Sequence, residues 1–158
     1  MRKKIVIIAL VLVAAVAMSG FADTFGVGAA FGLSGLGGLP QSAMLSLKIP
    51  QIPILWGVAA QFGENSFNMG VTADWWLYQQ NLVSFIGLYV GPGLYMSLPS
   101  PFEIGGRVPI GLNAYPLDFL ELFLELAPAL VFFSSDSGVT IPNFRLQGAF
   151  GFRFWFDL

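Results

Sequence analysis

From Thr24 to its end the chain alternates, residue by residue, between large apolar positions and small or polar ones. The last stretch, Asn143 to Leu158, does so most strictly. Phe144, Leu146, Phe150, Phe152, Phe154, Phe156 and Leu158 share one face, and Asn143, Arg145, Gln147, Ala149, Gly151, Arg153, Trp155 and Asp157 share the other. A period of two predicts a β-strand, whose successive side chains point to opposite sides of a sheet. Thr24 to Leu33 repeats the scheme, with Phe25, Val27, Ala29 and Phe31 against Gly26, Gly28, Ala30 and Gly32. Ala43 to Ile49 sets Leu45 and Leu47 against Met44, Ser46 and Lys48, and Ile54 to Gly63 sets Trp56, Val58 and Ala60 against Gly57, Ala59 and Gln61. Phe67 to Trp76 opposes Met69, Val71, Ala73 and Trp75 to Asn68, Gly70, Thr72 and Asp74. Val83 to Met96 opposes Ile86, Leu88, Val90 and Leu94 to Phe85, Gly87, Tyr89, Gly91, Gly93 and Tyr95. Gly106 to Tyr115 places Arg107, Gly111, Asn113 and Tyr115 together, and Phe119 to Phe132 separates Leu120, Leu122, Leu124, Leu126 and Leu130 from Glu121, Phe123, Glu125, Ala127 and Ala129. An amphipathic helix over Phe119 to Phe132 would scatter those leucines round its cylinder, whereas period two sorts them cleanly.

Eight strands result. Short turns are expected at Pro50 to Pro53, Tyr78 to Asn81 and Pro116 to Asp118, with mostly longer connections near Gly37, Asn65, Pro99 and Asp136 at the other end. Pro92, Pro109 and Pro128 each lack a ladder donor and are expected at strand ends, bulges or irregular positions.

Ahead of the first strand, Arg2, Lys3 and Lys4 precede an apolar run from Ile5 to Ala17, and Ser19-Gly20-Phe21-Ala22 supplies small residues for cleavage. This reads as a secretory signal peptide over residues 1–22, leaving 23–158 as a single domain. The run is too short for a spanning helix, which needs about 20 apolar residues. The whole chain is 56% hydrophobic and only 10% charged, against roughly 25% charged in a soluble domain. After Ala22 no apolar run is long enough for a membrane helix, so the surplus is accommodated by turning the alternating apolar face to lipid. The expected fold is therefore all-β, an eight-stranded antiparallel up-and-down transmembrane β-barrel preceded by a cleavable signal peptide.

Chemistry is bounded by what is scarce. Without the signal, Lys48, Arg107, Arg145 and Arg153 face nine acidic residues, 4 − 9 = −5, which argues against nucleic acid. No Cys and no His are present, which removes thiolate or imidazole metal sites and His-dependent nucleophiles. Neither enzyme activity nor a cofactor is expected. Parity gathers Lys48, Asp74, Arg107, Glu121, Glu125, Arg145 and Arg153 in the lumen, as a selectivity lining, a ligand site or a polar plug. Eight strands leave an interior that side chains can fill, which favours the plug. Folding the last two strands about Ser137 sets Glu121 opposite Arg153 and predicts a salt bridge. Glu121 and Glu125 also form a carboxylate pair of the kind used in sugar hydrolysis, but neighbouring arginines would hold both ionised. Trp56, Trp75, Trp76 and Trp155 lie near the strand ends on the side of the short turns and read as an interfacial girdle. Glu64, Glu103 and Asp136 are expected in the outward loops.

The Phe-rich terminal strand, with Phe152, Phe154, Phe156 and Leu158, resembles the C-terminal insertion signal of Gram-negative outer-membrane barrels, although Asp157 and Leu158 follow the last aromatic. With its length and hairpin count the chain resembles the small eight-stranded class that includes the OmpX, OmpW and OmpA transmembrane-domain barrels. Arg107-Val-Pro-Ile-Gly-Leu and Leu124-Glu-Leu-Ala-Pro-Ala-Leu also resemble a hairpin of small barrels from spirochaete-type bacteria. The resemblance implies location in the bacterial outer membrane and, as partners, outer-membrane lipid and the barrel-assembly machinery. It also implies a structural or surface-interaction role. Likeness to the OmpW group implies the alternative, a narrow channel or binding barrel for small molecules, hydrophobic ones included.

Overall fold

A computed structural model describes residues 24–33, 43–62, 67–98, 102–135 and 143–157. The expected signal peptide, Glu64, Asp136 and Leu158 lie outside the described residues. Within them the chain forms strands and turns and no helix. The strands are β1 (Thr24–Gly32), β2 (Ala43–Lys48), β3 (Ile54–Phe62), β4 (Phe67–Trp75), β5 (Tyr78–Val83), β6 (Ile86–Val90), β7 (Gly93–Leu98), β8 (Glu103–Arg107), β9 (Ile110–Leu117), β10 (Leu120–Ser134) and β11 (Asn143–Asp157). They make eight passes, because β4 continues into β5, β6 into β7 and β8 into β9, and each pass is antiparallel to the next. The first strand pairs along its whole length with the last nine residues of β11, from Thr24↔Asp157 to Gly32↔Ala149, so the sheet closes into a barrel-like ring.

The register measures how that ring is sheared. Paired residues lead from Arg153 through Gly28, Ser46, Gly57, Thr72, Tyr95, Gly105 and Val131 to Asn143, which lies 153 − 143 = 10 residues away on the same strand. Ten residues at about 3.3 Å each, set against eight strand spacings of about 4.8 Å, tilt the strands by about 40°. At that tilt the wall has a radius of roughly 8 Å, and inward side chains from opposite walls meet.

Three passes are split where proline removes a donor. Trp75 N–H donates to Pro92 O (2.9 Å), Gly91 N–H to Pro109 O (3.3 Å) and Val108 N–H to Pro128 O (2.9 Å). In each case the proline has no N–H to return, so the ladder keeps one bond of two and the strand pauses. Pro92 and Pro109 thus sit at breaks, whereas Pro128 stays inside β10, opposite Leu146.

Two expectations are corrected here. Tyr78 to Asn81 is not a turn: it belongs to β5, and the reversal comes at Ser84 and Phe85, which are exposed. The reason is a bulge. Between Asp74↔Gly93 and Tyr78↔Val90 three residues, Trp75 to Leu77, oppose two, Gly91 and Pro92. One extra residue reverses the alternation and carries the strand onward. Glu103, expected in a loop, begins β8 and is buried.

Candidate functional site

Period two sorts the chain as expected, but burial runs opposite to that of a water-soluble protein. The outward side chains of the ring, among them Leu45, Leu94, Leu112, Leu122, Leu124 and Phe150, are 44–50% exposed. Inside, Lys48, Asp74, Glu103, Arg107, Glu121, Glu125 and Arg153 are each no more than 6% exposed. With Arg145, half-buried, the interior holds four bases and four acids and is formally neutral.

These groups stack in three tiers along β11. Nearest the end that carries Thr24 and Asp157, Arg153 Nη1 lies 3.0 Å from Glu121 Oε1, its register partner as the fold-back about Ser137 predicts. Arg153 Nε donates to Ser46 Oγ at 2.8 Å, and its guanidinium sits 3.7 Å from the centre of the Phe123 ring. Glu121 also accepts from Asn113 Nδ2 (3.0 Å) and Trp155 Nε1 (2.9 Å).

In the middle tier Arg107 faces two carboxylates. Its Nε lies 3.1 Å from Asp74 Oδ1, its Nη2 donates to Glu125, and its Nη1 donates to Gln147 Oε1 at 2.7 Å. Tyr89 O–H completes Glu125 at 2.8 Å. At the far tier Arg145 Nη2 pairs with Glu103 Oε2 at 2.7 Å, and Tyr95 O–H donates to Glu103 Oε1 at 2.8 Å.

Glycine permits several of these contacts. Gly28 lies between Arg153 and Ser46 in the register, Gly93 between Asp74 and Arg107, and Gly111 between Tyr89 and Glu125. A Cβ at Gly93 would collide with Asp74, and one at Gly111 with the Tyr89 ring. Polar partners two strands apart therefore meet across a strand that presents no side chain there.

Two cavities lying between the tiers have volumes of about 10 Å³ each, room for about one water molecule. A larger cavity, about 300 Å³, opens at the terminal end and is lined by Lys48, Leu55, Trp76, Tyr115 and Trp155 among others. The tryptophans divide accordingly. Trp56 and Trp75 are half-buried on the outward parity, but Trp76 is buried and stacks on Tyr89 at 4.4 Å, and Trp155 reaches Glu121. The girdle expectation is corrected for those two. Trp76 shares parity with Asp74, and Trp155 with Arg153, so alternation already contained the answer. On the outer face Phe152 and Phe154 pack edge to face at 5.6 Å, and Phe156 lies 6.3 Å from Phe25.

Sequence reasoning missed Glu103, Tyr95, Gln147 and Ser46 as members of the ionic interior. Glu103 has the parity of Arg107 and was hidden by the prolines of Leu98 to Pro101, which placed the start of the strand too late. Among the described residues no group of His, Cys, Asp or Glu is arranged to hold a metal ion.

Glu121 is completely buried and holds three donors. Glu121→Gln leaves Arg153 without a counter-charge, and the loss in unfolding free energy expected for breaking a buried pair is about 3–5 kcal/mol. Urea titration of the refolded protein measures it, with Ser46→Ala as a neutral hydrogen-bond control expected to lose about 1 kcal/mol. An unchanged midpoint for Glu121→Gln would refute a structural role for the pair.

Comparison with protein-family models, curated proteins and solved structures finds no match to this chain.

Proposed function

We propose that this chain is an integral outer-membrane β-barrel protein with a structural or surface-interaction role, its lumen closed by paired charges. The observation that carries the reading is the inversion of burial: an apolar outer wall round a neutral ionic interior. In water that wall would be a hydrophobic patch far larger than the few hundred Å² usual on a soluble monomer. In lipid it is matched by its surroundings. From Leu122 to Phe132 the outward face of β10 spans 132 − 122 = 10 residues, and at a tilt of about 40° this climbs roughly 25 Å, the height of the apolar band of such barrels. Trp56 and Trp75, with Phe25 and Phe156, supply outward aromatics towards the terminal end, where an interface would lie.

The paired tiers favour a plug over a pore. Arg107, Arg145 and Arg153 are each committed to a carboxylate, and two cavities between the tiers have room for about one water molecule each. The test is refolding of the mature chain into detergent and liposomes. Expected are a compact β-rich species whose gel mobility shifts on boiling and liposomes that show no steady single-channel current. A monomer that stays soluble without detergent would overturn the membrane reading. A stable current altered by Arg107→Gln would replace the plug by the narrow-channel alternative.

A further inference from the structure

The cavity at the terminal end lies beside the first ionic tier and shares Trp155 with it. Its volume, about 300 Å³, falls at the lower end of the roughly 300–1,000 Å³ typical of small-molecule pockets. Three aromatic side chains, Trp76, Trp155 and Tyr115, line it together with Leu55. Leu55, Trp76 and Tyr89 also form a buried apolar cluster against which Trp155 packs, so the cavity has an apolar floor within an otherwise ionic interior. Trp76 is 8% exposed and already engaged, stacked on Tyr89 and with the Arg153 guanidinium 5.2 Å from its ring centre.

Charge sets the class of ligand. Asp118, in the turn after β9, and Asp157, at the end of β11, also line the cavity and are exposed. Lys48 lines it too, with its ammonium donating to the carbonyl of Ile49 at 2.9 Å. Two carboxylates against one ammonium leave the lining formally at −1, which disfavours an anion. The rings of Trp155 and Tyr115 supply aromatic faces, which are negative, attract cations and stack on flat apolar groups. We propose that this cavity binds a small organic cation carrying a flat apolar body. The inference goes beyond the structural role and is independent of membrane insertion, because the lining belongs to the interior and rim of the ring.

The probe is benzyltrimethylammonium, with benzyl alcohol and phenylacetate as neutral and anionic counterparts. Each is titrated into the mature chain in a nonionic maltoside, or in buffer if the chain proves soluble, and followed by calorimetry and tryptophan fluorescence. Every sample is first checked for its folded state. The cation is expected to saturate and to bind about fivefold more tightly than either counterpart, through the rim carboxylates and the ring faces together, with the preference shrinking as NaCl rises. In an Asp118→Asn, Asp157→Asn double variant, which alters none of the interior ion pairs, the preference is expected to fall to the roughly twofold left by the ring faces. No saturable binding, equal binding of benzyl alcohol, tighter binding of phenylacetate, or a preference undiminished in the double variant would each overturn the proposal. A folded protein that binds nothing removes the site alone, whereas a water-soluble protein that binds the cation removes the membrane reading alone.

Discussion

Arg107→Met is expected to lower the unfolding free energy of the refolded protein by about 3–5 kcal/mol, enough to abolish refolding in a marginal host. Arg107 is 6% exposed and is the shared partner of Asp74 and Glu125, which are 3% and 5% exposed. Its removal leaves two buried carboxylates with no cation between them, and it also strips Gln147 Oε1 of its donor. The companion is a triple variant, Arg107→Met with Asp74→Asn and Glu125→Gln. It removes the charges together, and because buried ion pairs owe much of their apparent worth to the penalty of breaking them, most of the loss should be recovered. Urea titrations of the wild-type, single and triple proteins decide the matter. A single variant as stable as the wild type would show that the middle tier does not hold the ring together. A triple variant that falls as far as the single one would show that packing, not charge, is responsible.

Leu124→Arg tests the opposite face and is expected to cost about 2–4 kcal/mol in a bilayer. Leu124 points outward from β10 and is 49% exposed. On a protein surrounded by water, an arginine at such a position changes stability by no more than about 0.5 kcal/mol. The same substitution therefore has a large effect in lipid and almost none in water. Asp157→Arg, exposed at the end of β11, serves as the control, because a charge outside the hydrocarbon layer should be tolerated. Equal, small effects at both positions would mean that the apolar wall does not meet lipid.

Much of this is legible in the sequence. Each outward Leu of β10 and each inward Glu follows from period two alone, because a strand admits only two directions for its side chains. The Glu121 and Arg153 partnership was legible too, since adjacent antiparallel strands pair about the centre of their connection. The closure of β11 onto β1 was anticipated by the resemblance to up-and-down barrels and agrees with the observed pairing. The errors came where one residue changed the count. Leu77 and its neighbours form a bulge, and Tyr78 to Asn81, rich in Gln and Asn, imitated a turn while continuing the wall. Trp76 and Trp155 were assigned by residue type, although their parity pointed inward.

That this chain is made of strands, which face of each is apolar, how many passes there are and which charges turn inward all follow from the order of its residues. These are local properties, governed by the alternation of the backbone and by short-range pairing. Which inward groups meet is a matter of the closed ring. Arg153 reaches Ser46 across Gly28, Arg107 reaches Asp74 across Gly93, Arg145 finds Glu103, and Trp76 and Trp155 converge on the terminal cavity. Those contacts depend on the ten-residue shear, the one-residue bulge and the diameter of the closed ring. All three are collective quantities, set by every strand at once, so no single stretch of sequence contains them.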